Sequence, residues 1–264
     1  MSTRFRSALM AGAAAVLGLA LTACGGSDSG SGQQAQAPAR TLTVSAAASL
    51  TGAYQQLGNE FQAANPGTTV KFNFGGSDAL AQQVVQGAPA DVLATASSKT
   101  MQTAVQAGKI QGEPVVYATN SLQIAVAPNN PKQITDLAAM ARPGVISVVC
   151  APAVPCGAAA EAAEKAAGVT LTPASEEQDV KGVLNRVQTG NADAGLVYVT
   201  DVKSTQGKVT GVDFPQASAQ GAVQSYPIGV VTGSQNADLA QNWINFVRGP
   251  QGAAALQQAG FVTK

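Results

Sequence analysis

Short apolar runs alternate with stretches of 3.6-residue periodicity along nearly the whole chain, and that alternation restricts the fold more than any other feature. Leu42-Thr43-Val44-Ser45 reads as a strand, after which Leu50, Tyr54, Leu57 and Phe61 recur at helical spacing until Asn65-Pro66-Gly67 stops the helix. Val70 to Phe74 alternates as a second strand, and Leu80, Val84 and Val85 mark a second helix. Asp91 to Ala94 is a third strand, followed by a helix through Met101 and Val105. Such a βαβαβα series predicts a parallel sheet with helices on its faces. A second series starts at the strand Leu122 to Val126. It continues with a strand at Val145 to Val149, an alanine-rich helix at Ala158 to Ala167, a helix carrying Val180, Val183, Leu184 and Val187, and a strand from Gly195 to Tyr198. After Pro227 to Val231 the chain closes with an amphipathic helix containing Leu239, Trp243, Ile244 and Phe246, then a short helix through Leu256. No fixed-period repeat emerges, which excludes solenoids and propellers. The expected architecture is two α/β units joined by two chain crossings, near Leu122 and near Tyr226.

The first forty residues follow other rules. Arg4 and Arg6 precede a charge-free apolar stretch from Ala8 to Ala23, too short and too rich in alanine and glycine for a membrane span. A basic segment before such a stretch reads as a secretory signal peptide, residues 1–23. It ends in Leu21-Thr22-Ala23-Cys24, which resembles a bacterial lipobox and implies cleavage before Cys24 and lipidation of its thiol. Gly25 to Ala39 contains little but Gly, Ser, Gln, Ala and Pro, so residues 24–40 are expected to form a flexible, lipid-anchored tether. The mature protein then carries 13 basic against 15 acidic side chains, a net charge of −2. In an oxidising compartment Cys150 and Cys156 most simply form a disulfide. The alternative, a zinc site, would have two thiols and no histidine, half a ligand set.

Composition narrows the chemistry. The chain has no histidine and no run of basic residues. The first removes the commonest general base and a common metal ligand; the second argues against binding nucleic acid. Small or hydroxyl residues stand where several helices are expected to begin: Ser49, Ser77, Cys156-Gly157 and Asp179-Val180. Free backbone N–H groups and the helix dipole make each start a potential anion site, although a serine there ordinarily just caps the helix.

Ala46-Ala47-Ala48-Ser49-Leu50-Thr51, Phe74-Gly75-Gly76-Ser77 and Gly87-Ala88-Pro89-Ala90-Asp91-Val92 together resemble successive blocks of the bacterial molybdate-binding proteins. Val154-Pro155-Cys156-Gly157, Asp179-Val180-Lys181-Gly182, Gly195-Leu196-Val197-Tyr198 and Tyr226-Pro227-Ile228 resemble later blocks in the same order, so the likeness covers Thr41 to Phe261. That resemblance implies a type II periplasmic-binding-protein fold: two α/β lobes, each a mostly parallel sheet flanked by helices, closing over a two-stranded hinge. Lobe 1 would comprise residues 41–122 and 227–264, and lobe 2 residues 123–226. It implies a monomeric, extracytoplasmic, non-enzymatic component of an ABC importer, which captures molybdate or tungstate without a cofactor and delivers it to a membrane permease and its ATPase. The implied ligand set is Ser49 and Ser77 through their hydroxyls, Cys156 and Val180 through their backbone amides, and Tyr198 through its hydroxyl. Many relatives have alanine where Cys156 stands. A Cys150–Cys156 bridge would leave that N–H available and hold the loop that carries it.

The chemistry of such a set is coherent. Molybdate carries no proton at neutral pH, so it needs donors and no acceptors, and inward-pointing N–H and O–H groups supply only donors. Three other readings compete. Sulfate or another tetrahedral oxyanion suits the same kind of site. An extracytoplasmic enzyme could draw on Asp91, Glu176, Glu177 and Asp179 for paired carboxylates, but a serine triad is excluded without histidine. A purely structural lipoprotein would undergo no ligand-dependent closure. Lys181 is expected on a solvated helix face.

Overall fold

A computed structural model describes residues 39–215 and 221–264. The predicted signal peptide, Cys24 and all but the last two tether residues lie outside them. Strand β1 (Arg40–Ala47) begins inside the predicted tether, where Arg40 forms an ion pair with Asp238 at 2.6 Å. A 3-10 turn (Ala48–Leu50) leads into α1 (Thr51–Ala64). Then come β2 (Thr68–Gly75), α2 (Ser77–Val85), β3 (Val92–Ala94) and α3 (Ser98–Gln106). β2 and β3 both pair with β1 in parallel, as the first βαβαβα series predicts.

The second half opens with β4 (Ile110–Val126), much longer than the predicted Leu122–Val126 strand. It continues through α4 (Leu137–Met140), β5 (Ser147–Cys150), α5 (Pro155–Ala167), β6 (Ser175–Glu177), α6 (Val180–Gln188), β7 (Ala194–Tyr198), α7 (Val199–Ser204) and β8 (Thr210–Val212). β5 pairs in parallel with both β6 and β7. The chain ends with β9 (Val223–Val231), α8 (Ala237–Arg248), α9 (Pro250–Ala259) and β10 (Val262–Thr263).

The strand order is β2-β1-β3-β9-β4-β7-β5-β6, with β8 and β10 also on β4. The antiparallel strands β9 and β4 occupy its middle. From Ile110 to Ser121 β4 pairs with β9, and from Leu122 to Val126 with β7, so one strand serves both halves and changes partner at Ser121/Leu122. Ser121 lies opposite Val223, and the Ala222 carbonyl accepts the Leu122 N–H at 2.9 Å. The two crossings therefore run side by side.

Each half buries its own apolar faces. In the first, Trp243 of α8 packs edge-on against Tyr54 and Phe61 of α1, with centroids 5.4 and 5.3 Å away. In the second, Val183, Leu184 and Val187 of α6 join Ala159, Ala160 and Ala163 of α5 over Leu196 and Val148. The alanine face of α5 lets that helix lie close to the sheet. Ala48 packs into this second core although its chain segment belongs to the first half, so the two halves are in contact there.

Candidate functional site

Parallel strands bring their C-terminal ends to one edge, and the turns leaving them are where ligands bind in open α/β sheets. Ser49 lies in the 3-10 turn after β1, Ser77 is the first residue of α2 after β2, and Tyr198 ends β7. α5 starts at Pro155, making Cys156 its second residue, and Asp179 caps α6, whose first residue is Val180. All five line a single small cavity of about 10 Å³, together with Gly76 and Asp179.

The serines do not cap their helices. The residues at the capping positions are Leu50 and Gly76, and neither helix has a side-chain cap. Ser49 thus sits one short turn ahead of the helix it was expected to open. The Ser77 hydroxyl oxygen accepts the Ala96 N–H at 2.9 Å, leaving its proton free to donate. Ser49 Oγ lies 2.7 Å from the Tyr226 hydroxyl.

Tyr198 contributes more than packing. Its ring meets Tyr226 edge-on, but its hydroxyl is buried and has no hydrogen-bond partner among the described residues. Burial pushes that hydroxyl well above the usual tyrosine range, with Tyr226 and Asp201 adding to the rise, so it keeps its proton and can only gain by donating. An unpaired buried hydroxyl is costly and calls for an acceptor that only a ligand would bring.

Backbone amides complete the wall. Asp179 is a carboxylate beside the cavity, but its Oδ1 accepts the N–H groups of Lys181 at 2.8 Å and Gly182 at 3.0 Å. The Val180 N–H is left without a partner among the described residues. On α5 the first paired amide is that of Ala158, which donates to Val154 at 3.0 Å, so the Cys156 amide is also free. Cys156 is bridged to Cys150, with Cα atoms 5.7 Å apart. A Cβ on Gly157 would collide with the Ala151 carbonyl, so the loop folds back tightly on the helix start. Closing a loop this small adds only about 2 kcal/mol of stability. Serine at both cysteines should therefore lower Tm by a few degrees, yet weaken binding about 10–100-fold by freeing the Cys156 amide. Calorimetry on the double variant checks this; unchanged affinity removes the role.

The two halves close over the cavity. A Cβ on Gly76 would run into the backbone carbonyl of Gln178, on the opposite side. A wider cleft of about 460 Å³ shares Ser49 and is lined by Lys181 and Lys203 with no carboxylate. Lys181 is not simply solvated: its Nζ lies 2.8 Å from Oδ1 of Asp201, whose side chain is 0% exposed and needs a cation.

The carboxylates weighed for acid–base chemistry have structural partners. Asp91 accepts the Thr43 N–H at 2.7 Å and the Ser234 hydroxyl at 2.5 Å. Glu177 pairs with Arg186 at 2.9 Å, and Glu176-Glu177 form part of β6, just ahead of α6. No group of three metal-ligating side chains occurs among the described residues. Sequence reasoning missed the buried Asn120 and Thr200 behind Ser49, because a polar residue in a strand or at a helix start carries no local mark of what it faces.

Residues 42–262 match the family described as bacterial extracellular solute-binding protein. The molybdate-binding protein ModA of Mycobacterium tuberculosis H37Rv is 45% identical over 248 residues, covering 94% of each chain. The solved periplasmic molybdate-binding protein of Azotobacter vinelandii superposes with a TM-score of 0.73 at 20% identity, over 84% of this chain and 98% of that one. A sulfate-binding protein of Synechococcus elongatus is more distant, 26% identical over 92% of this chain and 78% of its own.

Proposed function

The chain belongs to the bacterial extracellular solute-binding proteins, and from that premise we propose that it captures molybdate between two lobes and hands it to an ABC importer. As a member of that family it works outside the cytoplasm. One observation carries the ligand assignment: Ser49, Ser77, Cys156, Val180 and Tyr198, from five separate segments, converge on one cavity and offer it three hydroxyls and two backbone amides. An unprotonated tetrahedral dianion satisfies every one of them. A proton on the ligand would meet none of these five donors favourably. Charge-assisted hydrogen bonds contribute about 1.5–3 kcal/mol each, so five of them give tight binding without an arginine. Tungstate, with the same charge and shape, is held equally.

We take lobe 1 as residues 41–122 with 227–264 and lobe 2 as 123–226; the change of partner along β4 at Leu122 supports the first crossing. Ser49 and Ser77 then come from lobe 1, and Cys156, Val180 and Tyr198 from lobe 2. An ion touching both sets favours the closed form, which the permease recognises, and the ATPase drives reopening. The protein acts as a monomer, tethered to the membrane through lipidated Cys24, as the motif ending there suggests.

Melting with equal concentrations of molybdate, tungstate, sulfate, phosphate and nitrate tests the assignment. Ligand at 100 times Kd adds about 2.7 kcal/mol, a rise of about 5–10 °C at this size. Molybdate and tungstate should give that rise, and hydrogen phosphate and nitrate a much smaller one. A larger shift with sulfate would establish the second reading, which the distant sulfate-binding relative favours. No shift with any of them would end both.

Ser49→Ala and Ser77→Ala should each weaken molybdate binding by about 1–3 kcal/mol. They should differ in stability. Ser77→Ala also strands the buried Ala96 N–H and lowers the Tm of the empty protein further. Equal affinities for wild type and both variants would remove the serines from the site.

A further inference from the structure

Behind Ser49 lies a buried polar chain that decides which way its proton points. The Ser121 N–H donates to Asn120 Oδ1 at 3.0 Å. An amide N–H can only donate, so this bond fixes the Asn120 side chain with its nitrogen on the other side. That nitrogen donates to Thr200 Oγ1 at 2.8 Å and approaches the Tyr226 hydroxyl oxygen at 3.5 Å. Either hydroxyl of the Tyr226–Ser49 pair, 2.7 Å apart, could donate; a pure donor on the other side of Tyr226 favours its proton lying toward Ser49 Oγ. Asn120, Thr200, Tyr226 and Ser49 are all buried, which keeps bulk water from offering other partners.

We infer that Asn120 and Tyr226 are positioning residues that hold Ser49 as a donor toward the cavity and thereby select unprotonated oxyanions. The inference rests on the molybdate reading above. With the opposite polarity, Ser49 would give its proton to Tyr226 and turn only lone pairs toward the ligand. Such a wall repels a bare dianion and accepts a hydrogen bond from a protonated one such as hydrogen phosphate. The relay joins residues far apart in sequence, and Thr200 and Asn120 bring a helix start and the shared strand to the same point. The ligand-facing polarity of one lobe is therefore set by groups at the crossing between the two.

Tyr226→Phe removes the hydroxyl and keeps the ring that packs against Phe261 at 5.1 Å. Calorimetry with molybdate and with phosphate, on wild type, Tyr226→Phe, Ser49→Ala and the double variant, reads the relay. Molybdate affinity should fall about tenfold in Tyr226→Phe, the worth of one hydrogen bond to a charged ligand. Asn120→Ala leaves Tyr226 free to accept from Ser49, so there the molybdate-to-phosphate ratio should fall as well. In the Ser49→Ala background Tyr226→Phe should cost less than about twofold, because the group it orients is gone. Should Tyr226→Phe fail to fold, Asn120→Ala breaks the chain one step further back and is read against Ser49→Ala in the same way. Additive losses in Tyr226→Phe, or an equal loss for both anions in Asn120→Ala, would mark a packing defect and overturn the relay. Wild-type protein that ignores molybdate would overturn the site reading itself, a different result.

Discussion

Alanine at Gly76 is expected to weaken molybdate binding at least about 100-fold while leaving the empty protein folded. Gly76 has φ −60° and ψ 131°, which any residue can adopt, so its own backbone does not require glycine. As the residue capping α2, its replacement by alanine costs at most about 1 kcal/mol. The requirement comes mainly from across the cavity, where the added methyl would meet the Gln178 carbonyl; Asp78 Oδ1, 2.9 Å away on the same helix start, belongs to a side chain that can turn aside. That carbonyl cannot easily retreat: Asp179 holds the next turn through two amides, and Glu177 is paired in β6. The closed form is displaced while the open form is untouched, and apparent affinity falls with the closed population. Calorimetry gives the affinity, and small-angle scattering should show that ligand no longer compacts the variant. Wild-type affinity in Gly76→Ala would mean that this closed arrangement is not the binding state.

Proline at Val180 should cost about 10–100-fold in affinity, because it deletes one N–H donor worth about 1.5–3 kcal/mol. The position tolerates proline. Val180 is the first residue of α6, where proline fits, and Asp179 before it is extended at φ −156° and ψ 170°, as a residue preceding proline must be. Val180→Ala is the matched control. It keeps the amide but removes buried side-chain atoms from the second core, so it should lower Tm and leave affinity within a few-fold. A proline variant that binds like wild type, or an alanine variant that binds as poorly as proline, would show that the amide is not a ligand group.

Much of this architecture was legible because burial writes periodicity into sequence. Leu50, Tyr54, Leu57 and Phe61 mark the buried stripe of α1, with Leu50 just ahead of its first residue, and Val180, Val183, Leu184 and Val187 that of α6. β4 escaped for the converse reason. Gly112, Glu113 and Pro114 break its alternation, register shifts follow at Gln111/Val115 and Val116/Ala118, and Asn120 and Ser121 look like a turn. β6 is the short polar run Ser175–Glu177 at the edge of the sheet, and its two glutamates read as the approach to a helix. Four of the five wall residues stand out as expected helix starts, but only the ordered resemblance to known blocks joins them, with Tyr198, into one site. Nothing local separates Ser77, which turns its hydroxyl oxygen to the Ala96 amide, from a serine that caps its helix. The Asn120–Tyr226–Ser49 relay had no sequence signature at all.

The place of β9 sets a timetable for assembly. It lies between β3 and β4 in the sheet, yet almost everything else in that sheet precedes it in the chain. The segment from β5 to β8 can complete its own pairing on the later part of β4 as soon as it emerges. The N-terminal part must wait with two open strand edges until the last forty or so residues arrive. During export, the inserted half thus matures first, and the half that starts earliest finishes last. Until β9 docks, the long central strand is the segment most exposed to mispairing with another chain.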